Sequence, residues 1–110
     1  MNSEKNKDFA FGLSSFILDQ FTQVFKRYPE IQSVMIYGSR AKGNFREGSD
    51  IDLAVFAPKL SLLDFANLCS DLEDLPVIFK IDCVHFENIK RQILKEKISQ
   101  EGQLIFSLKP

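Results

Sequence analysis

Val34-Met35-Ile36-Tyr37-Gly38-Ser39-Arg40-Ala41-Lys42-Gly43, followed by Glu47-Gly48-Ser49-Asp50-Ile51-Asp52-Leu53-Ala54-Val55-Phe56, decides the fold of this chain. Val34 and Ile36 alternate with Met35 and Tyr37, the period-two pattern of a strand. Gly38 permits a sharp turn, and Ser39 is a good N-cap for a short helix begun by Arg40 and Ala41. Free N–H groups and a hydroxyl at such a turn, with Arg40 and Lys42 nearby, suit a phosphate group. In the second half, Asp50 and Asp52 stand at i and i+2 of a strand expected over 49–57, so both leave one face of a sheet. Ile51, Leu53 and Val55 leave the other face, toward a core. Two like charges side by side on a strand repel, and a hard, oxygen-seeking cation such as Mg²⁺ or Mn²⁺ relieves them. The alternative is an ordinary turn followed by an acidic surface strand.

Outward from this stretch, residues 9–28 place Leu13, Phe16, Ile17, Phe21, Val24, Phe25 and Tyr28 at helical spacing, with Ser14 or Ser15 as cap and Pro29 as the stop. A second line through Phe11, Leu18 and Phe25 makes the stripe wider than one core contact needs, which leaves apolar surface for a partner. Residues 62–75 predict another helix, with Leu62, Phe65, Ala66, Cys69 and Leu72 inward. Residues 80–86 predict a third strand with Ile81, Cys83 and His85 on one face and Lys80, Asp82 and Val84 on the other. Opposite Asp82 in phase, His85 is expected to be structural rather than catalytic. Residues 87–99 predict a last helix whose Lys90, Arg91, Lys95 and Lys97 complement its dipole, and 104–108 an edge strand or docked extension.

The pattern Gly38-Ser39, ten residues, then Asp50-x-Asp52 resembles the motif of the DNA polymerase beta-like nucleotidyltransferase superfamily. Within it the chain is most similar to the minimal nucleotidyltransferases, MNT, small proteins often paired with HEPN-domain partners. The resemblance implies an α/β (α+β) fold: a small mixed sheet with helices packed on one face and the active site on the other. It also implies that Asp82, on the next sheet strand, is the third carboxylate, against the alternative of a surface salt bridge to Lys80. Asp50, Asp52 and Asp82 would then hold two Mg²⁺ (or Mn²⁺) ions about 3.5–4 Å apart, with Asp82 also able to accept the hydroxyl proton. Gly38, Ser39, Arg40 and Lys42 would hold the phosphates of ATP. The implied reaction passes AMP to a hydroxyl. The implied acceptor is a tyrosine of a HEPN RNase toxin encoded nearby, which the chain would neutralise as antitoxin of a type VII-like pair. A homodimer is also open on this reading. Two further readings stand beside it: an antitoxin that works by binding alone, and a small-molecule nucleotidyltransferase of the antibiotic-modifying kind that needs a second subunit.

Composition bounds these readings. A chain of 110 residues is expected to be one domain, 1–110, with residues 1–8 a frayed polar start and no room for a separate acceptor domain. A net charge of −1 gives no general attraction to nucleic acid, so direct DNA binding is not expected. Two cysteines without metal-ligand spacing make neither a disulfide framework nor a zinc site. No apolar run approaches membrane-spanning length and no signal peptide precedes residue 9, so a cytoplasmic protein is expected.

Overall fold

A computed structural model describes residues 9–108. The expected frayed start at 1–8 lies outside the described residues. The first described segment departs from its sequence pattern. Phe9–Ala10 and Leu13–Ser14 form a small hairpin, β1 and β2, in which Ala10 pairs with Leu13. Its two-residue loop, Phe11-Gly12, is left-handed at both positions, φ 60° and 73°. That is the turn whose twist suits adjacent antiparallel strands. A helix cannot run through two left-handed residues, so α1 begins only at Ser15 and spans Ser15–Phe25. Ser14 caps it as expected, its hydroxyl accepting from the Ile17 N–H at 3.3 Å. Phe21, Val24 and Phe25 carry the buried stripe, while Phe16 is left 60% exposed.

Four longer strands build the sheet: β3 (Ser33–Tyr37), β4 (Ile51–Phe56), β5 (Ile81–His85) and β6 (Gln103–Ser107). Their order is β5-β4-β3-β6. β3 runs antiparallel to both neighbours, and β4 runs parallel to β5. A parallel pair needs a crossover, supplied by α3 (Leu62–Glu73), while the short α2 (Ser39–Lys42) follows β3. The Ser61 hydroxyl caps α3 by accepting from the Asp64 N–H at 3.0 Å. α1 and α3 cover one sheet face, where Val34, Ile36, Ile51, Leu53 and Val55 are all but fully buried. In α3 Leu72 is buried and Phe65 packs against the core as expected, Leu68 is buried beside them, and Leu62 stays 74% exposed. Only Leu62 and Ala66 of the expected inward set face solvent.

The helix α4 begins at Gln92 rather than 87 and spans Gln92–Glu101, after a 3₁₀ turn at Phe86–Asn88. It lies on the opposite face, where Ile98 buries against Tyr37 and Ala54. Two helices therefore back the sheet as expected, and a third covers part of the carboxylate face. Gly102 lets the chain pass directly from α4 into β6: a Cβ there would meet the Ile98 carbonyl at 2.6 Å and the Met35 sulfur at 2.8 Å. β6 is the expected edge strand.

One polar contact locks the backing helices together. The Tyr28 hydroxyl donates to Asp71 Oδ2 at 2.6 Å, and Arg27 Nη1 lies 3.5 Å from the same oxygen. Burial, then Asp71, pushes the phenol up to about 12. Tyr28→Phe is expected to lower unfolding free energy by about 1 kcal/mol in urea titrations, with no change in the helix content of the folded state.

Candidate active site

The site forms where β3 ends and β4 begins. Leaving β3, the chain turns at Gly38, with φ 79° and ψ −153°. A side chain there would also collide with its neighbour, because a Cβ would stand 2.6 Å from Asp52 Oδ2. Gly38, not Ser39, occupies the N-cap of α2, and Ser39 is the first helical residue. The Ser39 carbonyl accepts the Gly43 N–H at 3.0 Å, and Gly43 closes the turn in the left-handed region, φ 82°. The Ser39 side chain is half-buried and its hydroxyl makes no hydrogen bond among the described residues.

Asp52 sits at the centre. It pairs with Tyr37 across the antiparallel β3–β4 ladder and with Asp82 across the parallel β4–β5 ladder. Asp50 lies just before β4 and is exposed, as is Asp82. Burial, then the charges of Asp82 and Asp50, hold the Asp52 carboxyl above its ordinary value, while Lys97 of α4 acts the other way. Tyr37 is buried, and desolvation followed by Asp52 and Asp82 pushes its hydroxyl up to about 12. The sheet thus gathers anionic groups that lack enough cation of their own. Among the described residues no three His, Cys, Asp or Glu side chains converge closely enough to hold an ion as they stand. Asp82 also forms no ion pair with Lys80 among the described residues.

Arg40 is not placed as expected. Instead of facing ligand it is 2% exposed, with Nε and Nη2 donating to the Ser49 carbonyl at 3.2 and 3.0 Å. Nη1 donates to the Phe11 carbonyl at 2.9 Å. Its guanidinium lies 5.0 Å from the ring centroids of both Phe45 and Phe79. Sequence spacing put it beside a phosphate turn; four packed segments draw it inward. Lys42 is half-exposed and lies 3.7 Å from Glu101 Oε2 at the end of α4. The other Glu101 oxygen, Oε1, is buried without a partner among the described residues. Neither Glu101 nor the reach of Lys97 toward Asp52 is legible from spacing. The only signal was the basic character of the last helix.

His85 stands apart from this cluster, as its strand phase requires. It is 6% exposed, and Nε2 lies 2.7 Å from the Ala57 carbonyl while the Asn88 amide lies 3.0 Å from Nδ1. With Nδ1 accepting from Asn88, Nε2 carries the proton and donates to Ala57. Phe65 stacks on the ring at 5.1 Å.

Comparison with known proteins agrees with this fold. The family model described as polymerase beta, nucleotidyltransferase, matches residues 19–110. A Methanocaldococcus jannaschii protein provisionally named a protein adenylyltransferase is 30% identical over 86 residues, 77% of this chain and 87% of that one. A toxin–antitoxin crystal structure with AMP-PNP matches with a TM-score of 0.68 at 20% identity, over 84% of this chain and 74% of that one. An MNT antitoxin in complex with the tri-AMPylated Shewanella oneidensis HEPN toxin matches with a TM-score of 0.64 at 18% identity, over 86% and 73%. At those identities the two solved structures speak for the fold. The family match and the 30% relative speak for descent, and the chain belongs to the polymerase beta nucleotidyltransferase family.

Proposed function

We propose that this nucleotidyltransferase moves AMP from ATP onto a tyrosine hydroxyl of a HEPN-domain toxin, and so acts in the cytoplasm as the antitoxin of a type VII-like pair. The observation that carries the reading is the placement of Asp52 beside Asp82, with Asp50 next to them and the Gly38-Ser39 turn in contact with Asp52. The relatives support the acceptor: one is provisionally named for protein adenylylation, and another is an MNT antitoxin bound to an AMPylated HEPN toxin.

The donor set fits a hard divalent cation, since it is all carboxylate oxygen, mutually repelling and short of positive charge. Asp50, Asp52 and Asp82 would hold Mg²⁺, or Mn²⁺ in its place. When bound, the metal neutralises phosphate charge and lowers the pKa of a coordinated hydroxyl. The chain's own residues do the rest. The Ser39 hydroxyl donates to a phosphate oxygen, and the absent side chain of Gly38 lets the triphosphate approach the backbone. Asp82, exposed at the rim, faces the incoming hydroxyl and takes its proton as the bond to the α-phosphorus forms and pyrophosphate leaves.

The test mixes the protein at about one-tenth of the molar amount of a HEPN-domain protein from the same genome, with ATP and Mg²⁺. The partner is then repurified, weighed by mass spectrometry and assayed for RNase activity. Added AMP on a tyrosine with lost RNase activity is the expected outcome. An unmodified partner that recovers full activity on separation would mean neutralisation by binding alone, which tracks stoichiometry and dissociation constant. Phe9 and Phe16, both about 60% exposed, are the observation that favours that second reading.

A further inference from the structure

We infer that Arg40 is a positioning residue for Asp50, and that the N-terminal hairpin is part of the clamp that holds it. This rests on the nucleotidyl-transfer reading above. Two of the three guanidinium nitrogens grip one carbonyl, that of Ser49, the residue immediately before Asp50. On the other side of Asp50, the Ile51 N–H donates to the Lys80 carbonyl at 2.9 Å. Asp50 therefore has an exposed side chain on a backbone pinned at both neighbours. The loop leading to it is closed as well, with the Arg46 N–H donating to the Ser49 hydroxyl at 2.9 Å and the Ser49 N–H to the Arg46 carbonyl at 3.0 Å.

The third nitrogen reaches the Phe11 carbonyl, inside the left-handed hairpin turn. Gly12 lies so close that a Cβ would stand 2.3 Å from the Phe45 ring and 2.9 Å from Arg40 Nη1. Phe45 and Phe79 flank the guanidinium, and Phe79 lies three residues before Asp82. One cation thus ties the hairpin, α2, the 43–49 loop and the lead-in to β5 into one unit. No carboxylate pairs with it among the described residues, and its burial lowers its pKa. Burying a cation against carbonyls and rings alone is an expensive way to hold a loop. Only the planar fork of arginine serves two carbonyls in different directions while lying between two rings.

The experiment compares wild type, Arg40→Lys, Gly12→Val and Tyr28→Phe. Mn²⁺ binding is read by electron paramagnetic resonance with a non-hydrolysable ATP analogue, alongside turnover and urea stability. Lysine keeps the charge and loses the fork, so Mn²⁺ affinity is expected to fall about 10-fold and turnover at fixed Mg²⁺ by about 10- to 100-fold. Gly12→Val, whose side chain would press on the Phe45 ring and on Arg40 Nη1 and so disturb the clamp from the hairpin side with the guanidinium retained, is expected to shift Mn²⁺ affinity in the same direction. Tyr28→Phe destabilises the protein at a distance and is expected to leave Mn²⁺ affinity unchanged. A folded Arg40→Lys protein with wild-type Mn²⁺ affinity would overturn the inference. If that variant does not fold, Gly12→Val decides by the same criterion. Failure of the wild-type protein to bind Mn²⁺ with the analogue would overturn the nucleotidyl-transfer reading, and this inference with it.

Discussion

Asp52→Asn is expected to abolish AMP transfer, by at least about 100-fold, while making the metal-free protein more stable at neutral pH. Both halves follow from one placement. Asp52 is the innermost of the three carboxylates, half-buried on β4 with Asp82 beside it and Asp50 two residues before it. Its removal takes away the oxygen donor that the other two flank. The same crowding holds its carboxyl above the ordinary 3.8, with burial first and the two aspartates next. A carboxyl raised on folding contributes stability below its unfolded value, and that stability is lost as pH rises through the folded value. At pH 7 the wild-type protein has therefore lost this contribution, and the neutral amide does not carry the repulsion. The expected gain in EDTA is about 0.2–1 kcal/mol, at the low end because solvent screens the exposed partners. It should shrink as the pH is lowered from 7 toward 4. Urea titrations of both proteins across that range, with transfer assayed separately in Mg²⁺, check both halves. Undiminished transfer by a folded variant would remove Asp52 from the site.

The parts of this site that were legible in the sequence are those set by local rules. Period-two alternation put Ile51, Leu53 and Val55 in the core and Asp52 on the other face, and the burial pattern follows it, although Asp50 lies just before the strand rather than on it. Strand phase alone separated Asp82 from His85, and the parallel register then sets Asp82 against Asp52. The hairpin was missed because its residues also satisfy helical spacing. Phe11 in a left-handed turn is a conformation that a bulky residue seldom adopts, so nothing in its identity announces it. Arg40 was misplaced for a different reason. Whether a cation after a glycine turn faces ligand or interior depends on what arrives from elsewhere, and Phe11 and Phe79 lie 29 and 39 residues away in the chain. The same holds for Lys97 and Glu101, which reach the site only because α4 crosses the carboxylate face. Contacts of long sequence separation carry no local pattern to read.

Gly38→Ala tests whether the turn and the carboxylate act as one unit. The backbone there combines φ 79° with ψ −153°, a region essentially reserved for glycine, and an L-residue in it costs about 1–3 kcal/mol. That strain alone would only lower stability. The added methyl, however, would stand 2.6 Å from Asp52 Oδ2, well inside contact distance. The neighbour that must yield is the carboxylate itself, since β4 is locked between β3 and β5. Turning Asp52 aside displaces it from Asp82 by an amount that matters, because a shift of about 1 Å at a reacting centre lowers turnover by about 100-fold. Gly38→Ala is therefore expected to lose about 1–3 kcal/mol in urea, and about 100-fold in turnover at a temperature where it remains fully folded. A double-mutant cycle separates the two effects. In the Asp52→Asn background the stability loss should persist, because asparagine has the same bulk, while the activity loss should not add. If Gly38→Ala instead lost stability and kept wild-type turnover, the contact would serve folding alone, and the phosphate-binding turn would have to be sought elsewhere on the carboxylate face.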